Sequence, residues 1–410
     1  MGNQLEFILL WQSAIEMDMQ PAMAPDQLRI ALFSGNYNYV RDGANQALNR
    51  LVAYLLRQGV TVRIYSPTSP KPAFAPAGEL ISVKSTAFPF GRAEYPLALG
   101  MPSDTKRNLA AFNPNIIHVS APDILGHRAV TWAKAHAVPV LASMHTRFET
   151  YLHYYKMGFA EPILRAAMRR FYRRANAVVA PSESMAALMR DQGMGEDISI
   201  WARGIDTKVF HPERRSLPWR RDMGIADEET VIGFVGRIVM EKGLDAFCQS
   251  LDCLAAQNVP HKVLIVGDGP AKGWFEERLP RAIFAGFQSG DDLGRAVASI
   301  DVLFNPSVTE TFGNVTLEAM ASGVPVVAAR ATGSENLVRD GHTGRLVAPD
   351  DFGAFAAALG AYCNDQSLRT SHGQNGLNAS KSYDWDTINQ AVLDTYLRIA
   401  KPVRLNPESR

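Results

Sequence analysis

The strongest constraint on the fold is an alternation of short apolar runs with longer amphipathic stretches, which restarts near residue 226. Residues 44–59, for example, place apolar side chains at helical spacing and end at Gly59. Strands that alternate with helices predict a parallel sheet covered on both faces. The runs predicted as strands are 28–34, 61–67, 115–122, 139–146 and 177–184, followed by 229–237, 261–269, 281–287, 301–307 and 324–331. We therefore expect two successive doubly wound α/β units, with ligands at the carboxyl ends of their strands.

The length of 410 residues agrees with two domains of ordinary size. We expect an N-terminal extension over residues 1–26, a first unit over 27–205 and a second unit over 206–383. Between them, residues 203–222 combine glycine, two prolines and runs of charge, which is typical of a linker.

Composition excludes several classes of protein. No apolar run reaches the roughly 18 residues that a membrane-spanning helix needs. The apolar patch near the start has no basic residue before it, so a signal peptide is not expected. Three cysteines without a CxxC pair suit a reducing cytosol better than a disulfide scaffold or a zinc site.

Charge is distributed unevenly between the two units. Residues 27–205 carry 21 Lys and Arg against 11 Asp and Glu, a net of +10, whereas residues 206–383 carry 17 against 22, a net of −5. The two units should therefore meet different partners. Nucleic acid is a poor candidate, because no binding motif is present and one unit is acidic.

The segment 306–347 has the densest chemical signal. Its predicted strand ends in a loop that contains Glu310 and enters a helix near Asn314, where unpaired N–H groups favour an anion. Glu318 follows on that helix. A solvated helix face is the simplest interpretation of Glu318 alone, and only the surrounding string favours a functional role.

The segment 233–243, GFVGRIVMEKG, is the second signal. A strand ends at Gly236, and Arg237 and Lys242 then supply fixed positive charge suited to a diphosphate. A loop with two solvated cations is the alternative interpretation.

The N-terminal half offers two candidates. His145 closes a predicted strand at its carboxyl end, although a lone histidine is more often a structural hydrogen-bonding group. Gly43 stands beside a helix start and suits a phosphate, although loop glycines usually serve turns.

Residues 147–175 combine a basic surface with an apolar stripe. From Lys156 to Arg174 there are six basic residues and one acidic residue. A basic amphipathic helix of this kind suggests an anionic membrane surface, but a domain helix with its apolar face in the core is equally consistent. Motifs for a metal site or a serine hydrolase are absent from the sequence.

Together these segments resemble the family 4 retaining glycosyltransferases of the GT-B fold, which has two Rossmann-like domains facing across a cleft. The resemblance spans about residues 28–400, and its C-terminal strings are GRIVMEKG, VGDGP, FAGFQSGDDLGRAVASIDVLFNPSVTETFGNVTLEAMASGVPVVA and DGHTGRLV. The N-terminal strings SAPDILGHRA, MHTRFETYLHYY and RGIDTKVFHP are similar to bacterial α-mannosyltransferases and plant-type sulfoquinovosyltransferases that modify membrane lipids.

The resemblance implies a role for each candidate on the donor side. Arg237 and Lys242 would bind the donor diphosphate, Glu310 would contact the hydroxyls of the donor sugar, and Glu318 would accept the ribose hydroxyls. Main-chain N–H groups near Glu310 would assist it, from Phe312, Gly313 and Asn314.

On the acceptor side, the resemblance places His145 against the transferring sugar and Gly43 near the phosphates. Asp42 precedes Gly43 where many members have a second glycine. Residues 384–400 would form a helix that crosses back to the first domain.

The expected function is metal-independent, retaining transfer of a hexose from a nucleotide sugar to a membrane lipid or lipid-linked glycan. GDP-mannose is the first candidate donor and a UDP-sugar the second, with no further cofactor. The expected location is the cytoplasm, with peripheral attachment to the inner face of the membrane. The alternatives are a UDP-sugar enzyme with a soluble acceptor, an epimerase or sugar-phosphate synthase, and an inactive transferase-like binding subunit.

Overall fold

The first sheet contains seven described strands, all parallel, in the order β3-β2-β1-β6-β7-β8-β9. In this computed structural model, the described residues are 23–39, 43–87, 96–145 and 158–401. The strands of this half are β1 Arg29–Phe33, β2 Thr61–Ser66, β3 Glu79–Ser82, the short antiparallel pair β4 Thr86–Ala87 and β5 Pro96–Leu97, β6 Ile116–Val119, β7 Val140–Ser143, β8 Ala177–Ala180 and β9 Ile198–Ile200. Its helices are α1 Gly43–Arg57, α2 Ser103–Phe112, α3 Ile124–Ala135, α4 Glu161–Tyr172 and α5 Glu183–Asp191.

The second sheet contains six described strands, also parallel, in the order β12-β11-β10-β13-β14-β15. The strands are β10 Val231–Val235, β11 Lys262–Val266, β12 Ile283–Gly286, β13 Val302–Asn305, β14 Val326–Ala329 and β15 Gly344–Val347. The helices of this half are α6 Leu217–Asp222, α7 Leu244–Ala256, α8 Lys272–Arg278, α9 Gly290–Ala298, α10 Asn314–Ala321, α11 Ser334–Leu337, α12 Phe352–Asn364 and α13 Gln366–Ser380. The predicted α/β fold of two Rossmann-like units is thereby confirmed.

Strand order reverses next to β1 in the first sheet and next to β10 in the second. Ligands of open α/β sheets bind at these reversal points, outside the carboxyl ends of the strands. The fold therefore directs attention to the loops that follow β1 and β6, and to those that follow β10 and β13.

The C-terminal helix α14, Trp385–Ile399, packs on the first sheet although it follows the second in the chain. Val392, Leu393 and Tyr396 are buried in the same apolar cluster as Leu51 of α1. The chain thus crosses between the two halves twice, once after β9 and once before α14.

The segment predicted as a linker is largely packed against the second unit. Arg220, on α6, is fully buried, and its Nη1 lies 2.9 Å from Oδ2 of Asp301. The same nitrogen donates to the carbonyl of Ser299 at 2.8 Å. The glycine, prolines and charged residues of this segment predicted a linker. The charge of Arg220 instead forms contacts inside the second unit.

Three predictions fall wholly or partly outside the described residues, namely the extension over residues 1–22, Asp42, and residues 146–157 of the basic segment. Among the helices that are described, none is long and apolar enough to cross a membrane.

Candidate active site

Loops from both sheets meet where their strands end. Ser182, after β8, donates from its hydroxyl to the carbonyl of Thr311 at 2.9 Å, and Ser184 donates to the carbonyl of Thr332 at 2.5 Å. The hydroxyl of Thr311 in turn donates to the carbonyl of His145, after β7, at 3.0 Å. Because these residues all follow carboxyl ends of strands, the two ligand-binding edges face a common cleft.

Two helix N-termini approach each other across this cleft. Gly43 begins α1 and Asn314 begins α10. A Cβ atom added to Gly43 would lie 2.3 Å from Nδ2 of Asn314. Both helix ends carry partial positive charge, and the start of α10 has no side-chain cap among the described residues, so the space beside them favours an anion.

The loops that follow β10 and β11 touch through their main chains. A Cβ atom on Gly267 would lie 1.9 Å from the carbonyl oxygen of Gly236, so only glycine fits there. The next residue, Arg237, is exposed. No acidic side chain among the described residues forms an ion pair with it, which leaves its charge available to a ligand.

Lys242 and Glu310 form an ion pair within the second unit, with Nζ 2.5 Å from Oε1. The hydroxyl of Thr332 donates to the carbonyl of Glu310 at 2.8 Å, which fixes the loop that presents the carboxylate. We expected Lys242 and Glu310 to contact different parts of a ligand. Their opposite charges instead partly neutralise each other within the protein.

Glu318 is half-buried on α10 and is not the exposed helix position considered from the sequence. Burial, and secondarily the charge of Glu310, raises the pKa of Glu318 to about 7. Within the described ranges, no side chain donates a hydrogen bond to this carboxylate. Glu318 is therefore an acceptor for which the described residues show no donor, and it lies close enough to Glu310 of the ion pair to be affected by its charge.

Phe312 and Gly313 contribute in different ways. The Phe312 ring is buried and meets Tyr383 edge-on at 5.9 Å, so its side chain packs in the core. Gly313 precedes α10 with φ +96°, a left-handed conformation that favours glycine. Phe312 and Gly313 therefore contribute main-chain groups, and not side chains, at the start of α10.

The two ring nitrogens of His145 differ in their contacts within the described part of the chain. Its Nδ1 lies 2.9 Å from Nη2 of Arg203, and its ring meets Trp201 edge-on at 5.4 Å. Its Nε2 is buried and has no hydrogen-bond partner among residues 23–39, 43–87, 96–145 and 158–401. Burial, and then the positive charge of Arg203, holds the pKa of His145 well below 6.5.

The predicted residues thus form three groups. Lys242, Glu310 and Glu318 lie together, Gly43 meets Asn314, and His145 touches the donor-side loop through Thr311. Arg237 contacts none of these side chains.

Two neighbours of His145 carried no predicted role, namely Arg203 and Trp201. Arg203 is 58 positions away in sequence, so no local pattern reveals the contact. One signal was present: both residues lie within three positions of the end of β9, as His145 lies two positions after β7, and the same rule for carboxyl ends of strands selects them.

Two parallel sheets that face one cleft are the architecture of the GT-B glycosyltransferases. Solved structures agree: a sucrose-phosphate synthase from Thermosynechococcus elongatus superposes with TM-score 0.72 at 20% identity, covering 90% of this chain and 98% of that one. WaaG, a glycosyltransferase involved in lipopolysaccharide biosynthesis, superposes with TM-score 0.65 at 18% identity, over 89% and 99%.

Sequence comparison places the chain more narrowly. Residues 41–209 match Glycosyltransferase Family 4, and residues 229–365 match the glycosyl transferases of group 1. The sulfoquinovosyl transferase of Arabidopsis thaliana is 30% identical over 89% of this chain and 73% of its own length. A GDP-mannose-dependent alpha-mannosyltransferase of Mycolicibacterium smegmatis is 32% identical over 79% and 86%. The protein belongs to family 4, group 1, of the glycosyltransferases and acts on lipids or glycans.

Proposed function

We propose that the protein transfers a hexose from a nucleotide sugar, with GDP-mannose favoured, to a membrane lipid or lipid-linked glycan with retention of configuration. One observation carries the donor side: Glu318, an acceptor without a described donor, stands beside the Lys242–Glu310 pair on a helix whose N-terminus faces the cleft. Relatives named for GDP-mannose support that donor. A neighbour of the same fold solved with UDP-glucose keeps a UDP-sugar as the second candidate.

The geometry suggests how donor binding would proceed. A diphosphate would draw Lys242 away from Glu310. The carboxylate of Glu310 would then accept hydrogen bonds from the hydroxyls of the sugar. Arg237 has no described ion pair to break, and Glu318 would accept the ribose hydroxyls. Each contact would give a charged group of the cleft a ligand partner of complementary charge or hydrogen-bonding type.

As the sugar leaves, positive charge grows on its anomeric carbon and negative charge on the diphosphate. Arg237, Lys242 and the helix N-termini at Gly43 and Asn314 would stabilise the diphosphate without a metal ion. A phosphate oxygen of the donor would take the proton of the acceptor hydroxyl, which then attacks from the face that the diphosphate leaves. Configuration at the anomeric carbon would be retained.

A lipid acceptor is supported by the outer surface of α4. Phe159 is 80% exposed and Ile163 74% exposed. Phe159 lies in the short turn Gly158–Ala160 that leads into α4, and Ile163 lies on α4 itself, where Met168 and Phe171 are buried and Arg170 is exposed. Exposed apolar side chains among arginines favour an anionic membrane surface.

We also propose that the protein works at the cytoplasmic face of that membrane. Its three cysteines are unpaired, which agrees with a reducing compartment. A relative named an alpha-monoglucosyldiacylglycerol synthase supports the membrane lipid as acceptor.

The decisive test is release of nucleotide from GDP-, UDP- and ADP-sugars, with and without a bacterial lipid extract. We expect turnover of one donor, stimulated by lipid, and an NMR spectrum of the product showing the anomeric configuration of the donor. Turnover only with a soluble acceptor would remove the lipid from the proposal. No turnover of any donor by folded protein would favour the inactive binding subunit.

Membrane attachment has a separate test, co-sedimentation with phosphatidylglycerol vesicles. The wild type should bind, and binding should weaken as salt screens the arginines. The double substitution Phe159→Ser and Ile163→Ser should abolish binding. Leu99→Ser is the matched control, because Leu99 is also exposed, at 60%, but belongs to the segment between β5 and α2. Salt-independent binding, or equal loss in the control, would contradict attachment through α4.

A further inference from the structure

Arg203 stands where the chain leaves the first sheet for the second unit. Its guanidinium is almost fully buried, and its Nη1 donates to the carbonyls of Trp201 at 3.0 Å and Ala202 at 3.1 Å. It also lies over the Trp201 ring, 5.0 Å from the centroid. These contacts give the side chain a single orientation.

That orientation determines which nitrogen of His145 carries the proton. A guanidinium has five N–H donors, no acceptor, and a charge that proteins do not remove. Nδ1 of His145, 2.9 Å from Nη2 of Arg203, must therefore accept, and the single proton of the neutral ring lies on Nε2. Protonating both nitrogens would set one N–H group against another.

The Nε2–H group so defined is buried and has no acceptor within the described part of the chain. Native proteins rarely leave a buried donor without a partner, so such a group calls for an explanation. Thr311 binds the carbonyl of the same histidine from the donor-side loop, which places the residue at the cleft. A ligand oxygen in the cleft would satisfy the free donor.

We propose that Arg203 is a positioning residue that holds His145 as the Nε2–H tautomer, so that His145 donates a hydrogen bond to an oxygen of the transferring sugar and does not act as a base. The sugar in this statement rests on the proposed transferase function. The tautomer does not, because it is a property of the protein without substrate.

The surroundings of His145 agree with a neutral ring. Among the described residues, Arg203 and His118 are the charged or titratable groups that act on it electrostatically, and both disfavour its protonation. His118 is itself buried, with its pKa lowered to about 3 by desolvation, so it stays neutral in the physiological range. Its Nε2 lies 2.7 Å from the hydroxyl of Ser143, on the strand that ends before His145.

The first test is ¹⁵N NMR of wild-type protein labelled at histidine, with the His145 signals assigned by their loss in His145→Gln. We expect a protonated Nε2 and an unprotonated Nδ1 from pH 8 to pH 6. A proton on Nδ1, or on both nitrogens, in that range overturns the proposal. Because no substrate is needed, this result stands even if no donor is turned over and the proposed function fails.

The second test uses kinetics. The amide oxygen introduced by Arg203→Gln can accept a hydrogen bond from an Nδ1–H group, so both tautomers should appear and kcat should fall by about tenfold, with a nearly unchanged KM for the donor. Arg203→Lys, which donates only, should partly restore kcat. Arg107→Gln, an exposed arginine on α2, is the control and should leave kcat unchanged.

A double substitution separates positioning from a structural role. In His145→Gln no tautomer remains to be set, so adding Arg203→Gln should lower kcat no further. An additional tenfold loss would mean that Arg203 acts only on the fold. His145→Gln should also exceed His145→Ala in kcat, because its amide supplies an N–H group. Equal, complete inactivity of both would indicate a base and overturn the proposal.

Discussion

Nζ of Lys242 lies 2.5 Å from Oε1 of Glu310, so the two residues expected to bind different parts of the donor form an ion pair with each other. Their loops follow β10 and β13, the neighbouring strands at which strand order reverses. A ligand with two negative phosphates and a neutral sugar is matched to such a pair. Its phosphates would bind the ammonium of Lys242, and its sugar hydroxyls would donate hydrogen bonds to the carboxylate of Glu310. The pair also keeps two partly buried charges compensated until the donor arrives.

Removing the cation of this pair tests its role directly. Lys242→Ala should lower kcat/KM by at least about 100-fold, because a preorganised charge at the leaving diphosphate is lost. The measurement is steady-state turnover of the donor identified by the nucleotide panel. Lys262→Ala is the matched control, since Lys262 forms a more exposed pair with Glu229 at 3.4 Å. An unchanged rate in Lys242→Ala would exclude its contact with the diphosphate.

Removing the anion should separate binding from turnover. In Glu310→Gln the ammonium of Lys242 loses its ion pair with the Glu310 carboxylate, so a nucleoside diphosphate should bind more tightly than to the wild type. Transfer should nevertheless fall, because the sugar loses a charged acceptor. Calorimetric titration with the nucleoside diphosphate and turnover of the sugar donor give the two values. Weaker nucleotide binding in this variant would contradict the exchange of partners.

Glu318 should make nucleotide affinity depend on pH. Its pKa is raised to about 7, so in the free protein it is protonated below that pH and ionised above it. The ionised form is the stronger acceptor for ribose hydroxyls. Binding therefore favours the ionised form, and affinity should fall as pH drops through 7, by at most about tenfold per pH unit.

Glu318→Gln is the control for that titration, because the ligand phosphates titrate in the same range. The variant should bind more weakly above pH 7 and should retain only the pH dependence of the ligand itself. Parallel curves for wild type and variant would show that Glu318 does not act on the ribose.

The crossing between the domains has no room for a methyl group at Gly204. A Cβ atom there would lie 2.5 Å from the ring of Trp385, at the start of α14. Gly204→Ala should therefore destabilise the protein by about 1–3 kcal/mol, as overpacked sites do. Gly273→Ala, where an added Cβ meets nothing within 4 Å, should instead stabilise α8 by roughly 0.5–1 kcal/mol. Thermal unfolding of the two variants compares them, and shifts of the same sign would refute this view of the crossing.

The buried pair of Arg220 and Asp301 should be a strong determinant of stability. Arg220→Met leaves a partly buried Asp301 with fewer donors, which should lower the free energy of unfolding by about 3–5 kcal/mol. Urea denaturation followed by circular dichroism measures the change. Arg221→Met, which removes the exposed pair with Asp227, should have no measurable effect. A mild effect at Arg220 would mean that the pair is dispensable.

Much of the fold could be predicted because its signals are local. The helix predicted over 44–59 is observed as Gly43–Arg57, and the strand predicted over 61–67 as Thr61–Ser66. Predicted strands ran too far at their carboxyl ends, as at 177–184, where the strand is Ala177–Ala180. Residues 181–184 are Pro-Ser-Glu-Ser, and the Ser182 side chain caps the next helix, α5, so the strand has already ended there. The short strand β9 was missed, because three residues show no periodicity.

The features of the candidate site also divide into those with a local sequence signal and those without one. Glycines at tight turns, cations after strand ends and a helix start at Asn314 are recognisable in sequence, since each needs only its neighbours. The pairing of Lys242 with Glu310 spans 68 positions, and the contact that sets the tautomer of His145 spans 58. The elevated pKa of Glu318 likewise requires knowing what surrounds it.

The sequence by itself determined the alternation of strands and helices, the two-unit organisation and the residue types at the cleft, because hydrophobic periodicity and turn chemistry act over a few residues. Only the tertiary structure decided which charges neutralise each other, that Arg220 is buried and that Nε2 of His145 is the free donor. Those properties depend on burial and on distances between groups far apart in the chain. Electrostatic interactions change steeply with both, so they are defined only once the two sheets have folded and met.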